Sequence, residues 1–328
     1  MSRTRAAVVG VGHLGRFHAL KYREIPEVDL MGVVDIRPER AREVAREVGV
    51  EPLDRLEDLF GRVDAVTVAV PTTEHAAVVT KLLRQGIHVL VEKPIAARME
   101  EAEAMVKTAR GCGVVLQVGH VERFNPTITA LRTRLRAPLF LEIHRISPFP
   151  GRGADVDVVL DLMIHDIDLL LEFHKGEIIQ VDAVGVPVLT PTYDIVNARF
   201  RFDDGCVANV TASRVSAKSL RKIRVFQPDS YLSVDCGKRE VVEYRRLPAE
   251  PGRDMPRIVG GRLEVEERDT LLDEVRSFIH AARGEGRPVV DGEMGLRCLQ
   301  VALRVIASIE ETLPEGLRDL LGGRGGHG

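Results

Sequence analysis

Three stretches of this chain hold residue types that could move a proton or bear charge at a reacting oxygen. The first is Glu92-Lys93-Pro94, which closes the apolar run Ile87 to Val91. Such a run reads as a buried parallel strand. A Lys past the carboxyl end of that strand faces the crevice where open α/β sheets bind ligands. Its ammonium could stabilise negative charge on an oxygen and assist a proton transfer. A solvated surface Lys has the same local sequence. The second stretch is Asp161-Leu162-Met163-Ile164-His165-Asp166-Ile167-Asp168. Asp161 and His165 stand one helical turn apart and share a face, with Asp168 near it and Asp166 directed elsewhere. A carboxylate beside an imidazole fixes its tautomer and raises its basicity, as a general base for an alcohol proton requires. An acidic helix start with a structural His is the alternative. The third is Gly119 to Pro126, which contains His120, Glu122, Arg123 and Asn125. Arg123 could meet an anionic or hydroxyl-rich ligand, or the stretch could be a domain hinge with a surface Arg.

A base for an alcohol proton needs a hydride acceptor, and the beginning of the chain supplies one. The β-branched run Ala6 to Val9 enters Gly10-Val11-Gly12-His13-Leu14-Gly15, and the periodic segment Arg16 to Arg23 follows. Strand, glycine turn and helix in that order form the dinucleotide fingerprint. Gly10 makes the turn, Gly12 admits a pyrophosphate, and Gly15 lets helix and strand pack closely. The helix start offers N–H groups to the phosphates, with His13 and Leu14 beside them. The next strand, Val28 to Val34, ends in Asp35-Ile36-Arg37. An acid about 20 residues beyond the glycines accepts the ribose hydroxyls. Asp35 therefore favours NAD over NADP, Arg37 softens that preference, and Asp35 could also cap the helix beginning at Pro38. Val70, Pro71, Thr72 and His75, just past another strand end, are expected to line the cofactor together with Glu92 and Lys93.

These residues require a doubly wound framework. Strand-like and helix-like segments alternate up to Gly119, as in an N-terminal Rossmann sheet of parallel strands. The helix after Pro71 is expected to be capped by Thr72 or Thr73. From Val156 to Phe173 the pattern reads as one long helix. Six strands follow, near 177–189, 193–202, 206–215, 221–227, 231–235 and 238–244, with Asp203-Asp204-Gly205 as a hairpin turn. Leu247 to Gly261 reads as a loop, and two amphipathic helices, 270–283 and 292–311, close the fold. The fold class is thus α/β: a Rossmann domain plus a C-terminal α+β domain with a mostly antiparallel open sheet. The domains are expected at 1–120, for NAD binding, and 121–315, for substrate and oligomerisation. The C-terminal helices are able to pack back on the Rossmann domain. Residues 316–328, rich in glycine, read as a flexible tail.

Composition narrows the function classes. The 328 residues suit two domains, and the net charge of −3 leaves no electrostatic footprint for nucleic acid or an anionic membrane. Cys112, Cys206, Cys236 and Cys298 show no metal-ligand spacing, so no metal is expected and the thiols read as buried or half-buried. No leader precedes the first strand and no apolar run is long enough for a bilayer, which together predict a cytoplasmic protein.

The order of the motifs, from the glycine fingerprint through Glu-Lys-Pro and Gly-His-x-Glu-Arg-Phe-Asn-Pro to Asp-x-x-x-His-Asp-Ile-Asp, resembles the Gfo/Idh/MocA oxidoreductases from about Ala6 to Glu311. That resemblance implies Lys93, Asp161 and His165 as the catalytic set. It also implies a homodimer or homotetramer formed through the open sheet face of the second domain. A finer resemblance, carried by Gly119 to Pro126 and Arg145 to Asp168, is to the branch of the family that oxidises the 3-hydroxyl of UDP-N-acetylglucosamine. Members of other specificity usually carry a Gly-Gly-Gly run where this chain has Gly151-Arg152-Gly153-Ala154-Asp155. The branch implies a nucleotide-sugar substrate, met by His120, Glu122, Arg123, Asn125, Arg145 and Arg152, with Arg matching diphosphate geometry. Oxidation of a free sugar or polyol such as an inositol is the alternative within the class. A non-catalytic NAD-binding regulator is the alternative outside it.

Overall fold

The computed structural model describes residues 3–149, 156–249 and 255–313. Arg152 and the expected tail lie outside them. The chain divides into two compact units, one of residues 1–124 with 268–299, the other of 125–267 with 300–328.

The first unit is built on β1 (Thr4–Val9), α1 (His13–Arg23), β2 (Val28–Val34), α2 (Pro38–Val48), β3 (Glu51–Leu53), β4 (Ala65–Val68), α3 (Thr72–Arg84), β5 (His88–Glu92), α4 (Met99–Cys112) and β6 (Leu116–Gly119). The strands form one parallel sheet in the order β3-β2-β1-β4-β5-β6. This is the doubly wound order, with its reversal at β1 and β4. Continuous apolar strands are buried on both faces, and β4 has no exposed residue. Pro38 opens α2, where its missing N–H costs no bond. The helix α3 is not capped by a threonine: its N-cap is Pro71, and Thr72 is already helical. On one face of the sheet Ala6, Val8 and Leu90 share a core with Tyr22 of α1 and with Val275, Phe278 and Ile279. The last three belong to α7 (Thr270–Ala282), capped by the Asp269 side chain.

The second unit begins with α5 (Pro126–Arg132), whose N-cap is Asn125. Its eight-stranded sheet contains β7 (Phe140–Ile146), β8 (Ile178–Val186), β9 (Ile195–Phe202), β10 (Val207–Ser213), β11 (Leu220–Phe226), β12 (Ser230–Asp235), β13 (Glu240–Leu247) and β14 (Arg257–Leu263). The order is β14-β13-β12-β11-β7-β10-β9-β8, antiparallel except between β7 and β10. One face carries Leu141, Ile143, Val196, Ala198, Phe200, Ala208, Val210, Ile223 and Val225, all buried. The other carries Glu142, His144, Asn197, Arg199, Asn209, Thr211 and Arg224, joined by ion pairs and hydrogen bonds such as Glu142–Arg224 and Asn197–Thr211. Strict alternation on half-buried strands produces this division.

Two expected elements differ. The long helix is composite: a π turn over Val159–Met163 runs into α6 (Ile164–Phe173), which is buried almost throughout. The expected loop 247–261 contains part of a strand, since β14 pairs with β13 from Arg257 onward. Gly260 and Gly261 interrupt its alternation, which removes the sequence signal for a strand. Helix α8 (Gly292–Thr312) contributes residues up to Leu299 to the first unit and the remainder to the second. In the second unit Ser308 of α8 accepts from the Ala183 amide and donates to the Val181 carbonyl, tying the helix to β8. Cys112 is exposed rather than half-buried, while the other three cysteines are buried and none is in a disulfide. No helix is long and apolar enough to cross a membrane, among the described residues.

Candidate active site

In the first unit, the fingerprint closes a cradle. Gly10 has φ 82°, and a Cβ at Gly15 would stand 1.9 Å from the Gly10 carbonyl oxygen, so helix and turn meet only through glycine. Gly12 has open space where its Cβ would be, the room a pyrophosphate takes. Helix α1 starts at Gly12 with no side-chain cap and no acid in its first turn. Its first N–H groups and positive dipole end are thus left for an anion. His13 and Leu14 are exposed at this start, and His13 packs edge-on against Phe17.

Asp35 lies at the end of β2 with its side chain 7% exposed. One carboxylate oxygen accepts from the Val11 amide at 2.9 Å and the other from the Arg37 amide at 2.9 Å. It therefore joins the glycine loop to the start of α2. Ile36 is 97% exposed beside it. Arg40, which the sequence did not single out, completes the join. Its guanidinium donates to the carbonyls of Val11 at 2.7 Å and Gly12 at 3.1 Å. No local motif marks such a residue, because its partners are backbone atoms of a distant turn.

Val70, Pro71 and Thr72 lie where β4 passes into α3. The buried His75 ring stands between two carbonyls, Nδ1 3.0 Å from Pro94 O and Nε2 3.0 Å from Val70 O. Burial pushes its pKa down despite those carbonyls, so a neutral ring donates to one of the two. His75 thus links the end of β4 to the turn that follows Lys93. Lys93 itself is half-buried, and the Lys93–Pro94 peptide is cis. Glu92, the last residue of β5, receives a hydrogen bond from His18 Nε2 at 2.9 Å. His120, Glu122 and Arg123 are buried in the turn after β6. The Arg123 amide donates to the His120 carbonyl at 3.0 Å.

In the second unit, Asp161 lies in the π turn and His165 in the first turn of α6, both half-buried. π segments are rare and frequent at functional sites. The helix start is anchored from several sides. Asp157 accepts from the Val159 and Leu160 amides, and the Val158 amide donates to the Tyr193 carbonyl. Arg214, buried, donates to the Val156 carbonyl at 2.6 Å and to Asp194 at 2.8 Å. Asp194 also accepts from the amides of Val188, Leu189 and Thr190. Burial alone would raise the Asp194 pKa, but these amide bonds and Arg214 outweigh it and hold the carboxyl well below the usual carboxylate range.

Two expected substrate residues do something else visibly. Arg145 points to the buried face of β7 and grips Asp166 of α6 with Nε at 3.0 Å from both oxygens and Nη2 at 2.8 Å from one. Both side chains are almost fully buried. The Asn125 side-chain oxygen Oδ1 accepts from the Thr127 amide at 3.1 Å and hydroxyl at 2.9 Å, so the side chain caps α5.

The first unit fits a bound dinucleotide: an open cradle at Gly12, uncapped amides on α1 and an acid at the end of β2. Comparison with known proteins agrees. The model of the oxidoreductase family with an NAD-binding Rossmann fold matches residues 4–120, and that of the GFO/IDH/MocA C-terminal domain matches residues 142–228. UDP-N-acetylglucosamine 3-dehydrogenase from Acidithiobacillus ferrooxidans is 39% identical over 315 residues, 95% of this chain and 99% of that protein. A solved structure of that enzyme covers 96% of this chain and all of its own, with a TM-score of 0.88 and 38% identity. Myo-inositol 2-dehydrogenase from Thermotoga maritima is 26% identical over 97% of this chain and 100% of its own length. With both family models matched in order and a full-length relative at 39% identity, the chain belongs to the GFO/IDH/MocA family of NAD-binding oxidoreductases.

Proposed function

We propose that this protein oxidises the 3-hydroxyl of UDP-N-acetylglucosamine to the 3-keto sugar. The supporting observation is its 39% identity to an enzyme of that name over nearly the full length of both chains. Bound NAD supplies the hydride acceptor. His165 takes the hydroxyl proton, and Asp161, one turn before it, orients the ring and stabilises the imidazolium that forms. Lys93 donates a hydrogen bond to the substrate oxygen as the C–O bond gains double-bond character. The C3–H bond breaks with its electron pair, the O–H bond breaks as a proton, and the ketone remains.

The residues for the diphosphate are Arg123 and Arg152, since Arg145 is engaged with Asp166. Asp35 selects NAD through the ribose hydroxyls. The polar face of the eight-stranded sheet, with Glu142, His144, Arg199 and Arg224, is the surface through which copies associate as dimer or tetramer in the cytoplasm. Light scattering of the purified protein checks that part.

A substrate panel tests the activity. The protein with NAD is given UDP-N-acetylglucosamine, myo-inositol and glucose in parallel, and reduced nicotinamide is followed by absorbance. Turnover is expected with the nucleotide sugar. Turnover with the polyols alone would replace it with an inositol dehydrogenase, the activity named for the Thermotoga relative. NAD binding without turnover of any of them would make the chain a sensor.

A further inference from the structure

Lys93 follows a residue that points the other way. Side chains alternate along a strand. Leu90 faces the core under α1 and α7, and Glu92, two residues later on β5, shares that face. The Glu92 carboxylate is met there by the fully buried His18 of α1, Nε2 to Oε1 at 2.9 Å. A third buried group arrives from α7: the His18, Glu92 and Glu274 ligating atoms all lie within 4.8 Å of one another. From the neighbouring strand β6, Gly119 pairs with Glu92, and a Cβ there would stand 3.0 Å from the carboxylate. Two carboxylates and an imidazole inside a Rossmann core cost far more to desolvate than apolar side chains of the same volume. The cluster sits one residue from Lys93, and His18 stands three residues after Gly15 on the fingerprint helix.

We propose that His18 is a positioning residue for the reaction: by holding Glu92 against α1 it fixes the end of β5 and aims the Lys93 ammonium. The fingerprint helix thereby sets two things, the phosphate cradle at its start and the direction of Lys93 from its second turn. This rests on the assignment of Lys93 to the reacting oxygen.

The test compares His18→Leu, His18→Gln and Lys93→Ala, singly, and His18→Leu combined with Lys93→Ala. NAD affinity is measured by direct titration without substrate, folding by thermal melting, and hydride transfer by single turnover. Misplacing Lys93 should lower the transfer rate of His18→Leu about 10- to 100-fold, with NAD affinity within about twofold. Gln places an N–H near the position of the His Nε2 atom, so His18→Gln should recover most of the rate. In the Lys93→Ala background His18→Leu should remove less than about twofold more, because both act at one point. If His18→Leu does not fold, Glu92→Gln, which keeps the shape, carries the same pair of comparisons. A rate within about twofold of the parent, or the same loss with and without Lys93, would overturn the proposal. Should Lys93→Ala itself keep the parent rate, the fault would lie in the assignment of Lys93 instead.

Discussion

The two units hold their candidate residues by different means. The cofactor cradle of the first relies on backbone shape: a positive-φ turn at Gly10, a helix that reaches the turn only at Gly15, and an Asp that accepts two amides at the end of β2. The second relies on buried charge. Arg145 grips Asp166 within the helix that carries His165, and Arg214 with Asp194 fixes the segment leading to Asp161. The close approach at Gly10 and Gly15 tolerates no added atom, whereas a buried pair tolerates no missing partner. Substitutions in the two units should therefore fail in opposite ways.

The largest effect is expected from Asp166→Ala, which leaves the Arg145 guanidinium buried and without its carboxylate. Breaking such a pair should destabilise the second unit by about 3–5 kcal/mol, read as a lower urea midpoint. Replacing both partners by apolar residues of similar volume should restore much of that stability. If the double replacement is no better than the single one, the pair is not the element that holds α6.

Next comes the contrast between two glycines. Gly15→Ala forces a methyl against the Gly10 carbonyl and should destabilise the first unit by about 3 kcal/mol. Gly12→Ala meets nothing in the folded chain, so its melting temperature should hardly move while NAD affinity falls about tenfold or more. Equal loss of stability in both variants would contradict the separate roles given to them.

Acid should separate the units in a third way. The Asp194 pKa is lower in the folded chain than in the unfolded one, so its stabilisation is complete above the unfolded carboxylate value of about 3.9 and disappears as pH falls further. Urea titrations should show the second unit keeping this contribution from neutral pH down to about pH 4 and losing it between about pH 4 and pH 3. Asp194→Asn should be less stable at neutral pH and show a flatter decline.

The smallest effect concerns Asp35. Its replacement by Ala frees the Val11 amide and, under the proposed role, removes the ribose acceptor, so NAD should bind about tenfold more weakly. NADP should be tolerated better, with Arg37 and Arg40 nearby to meet a phosphate. An unchanged preference would reduce Asp35 to a brace between the glycine loop and α2.

The same contrast explains how much was legible beforehand. The fingerprint, Asp35 and Glu-Lys-Pro are local patterns that follow from backbone geometry, and the doubly wound class of the first sheet follows from the alternation of strands and helices. The alternating strands β9, β10 and β11 were equally clear. What could not be read was anything whose partner lies far along the chain. Arg145 and Asp166 are 21 residues apart, and Arg214 and Asp194 are 20 apart, so neither pair leaves a periodic trace. Arg145 is in phase with the inward-facing Leu141 and Ile143, but nothing near it in sequence marks the carboxylate of Asp166 that makes such a position tenable, so its charge reads as a substrate contact. His18, hidden in an amphipathic helix, looked like an ordinary helical residue. The π turn leaves no trace either, since its one-residue shift of phase is invisible in a segment that is apolar almost all round.

The most direct test of the central claim uses UDP-N-acetylglucosamine carrying deuterium at C3. NAD should be reduced, the deuterium should appear on the nicotinamide by mass spectrometry, and Lys93→Ala and His165→Ala should each slow the transfer about 10²- to 10⁴-fold. Deuterium retained on the sugar, or a Lys93→Ala protein that transfers it at the parent rate, would contradict it.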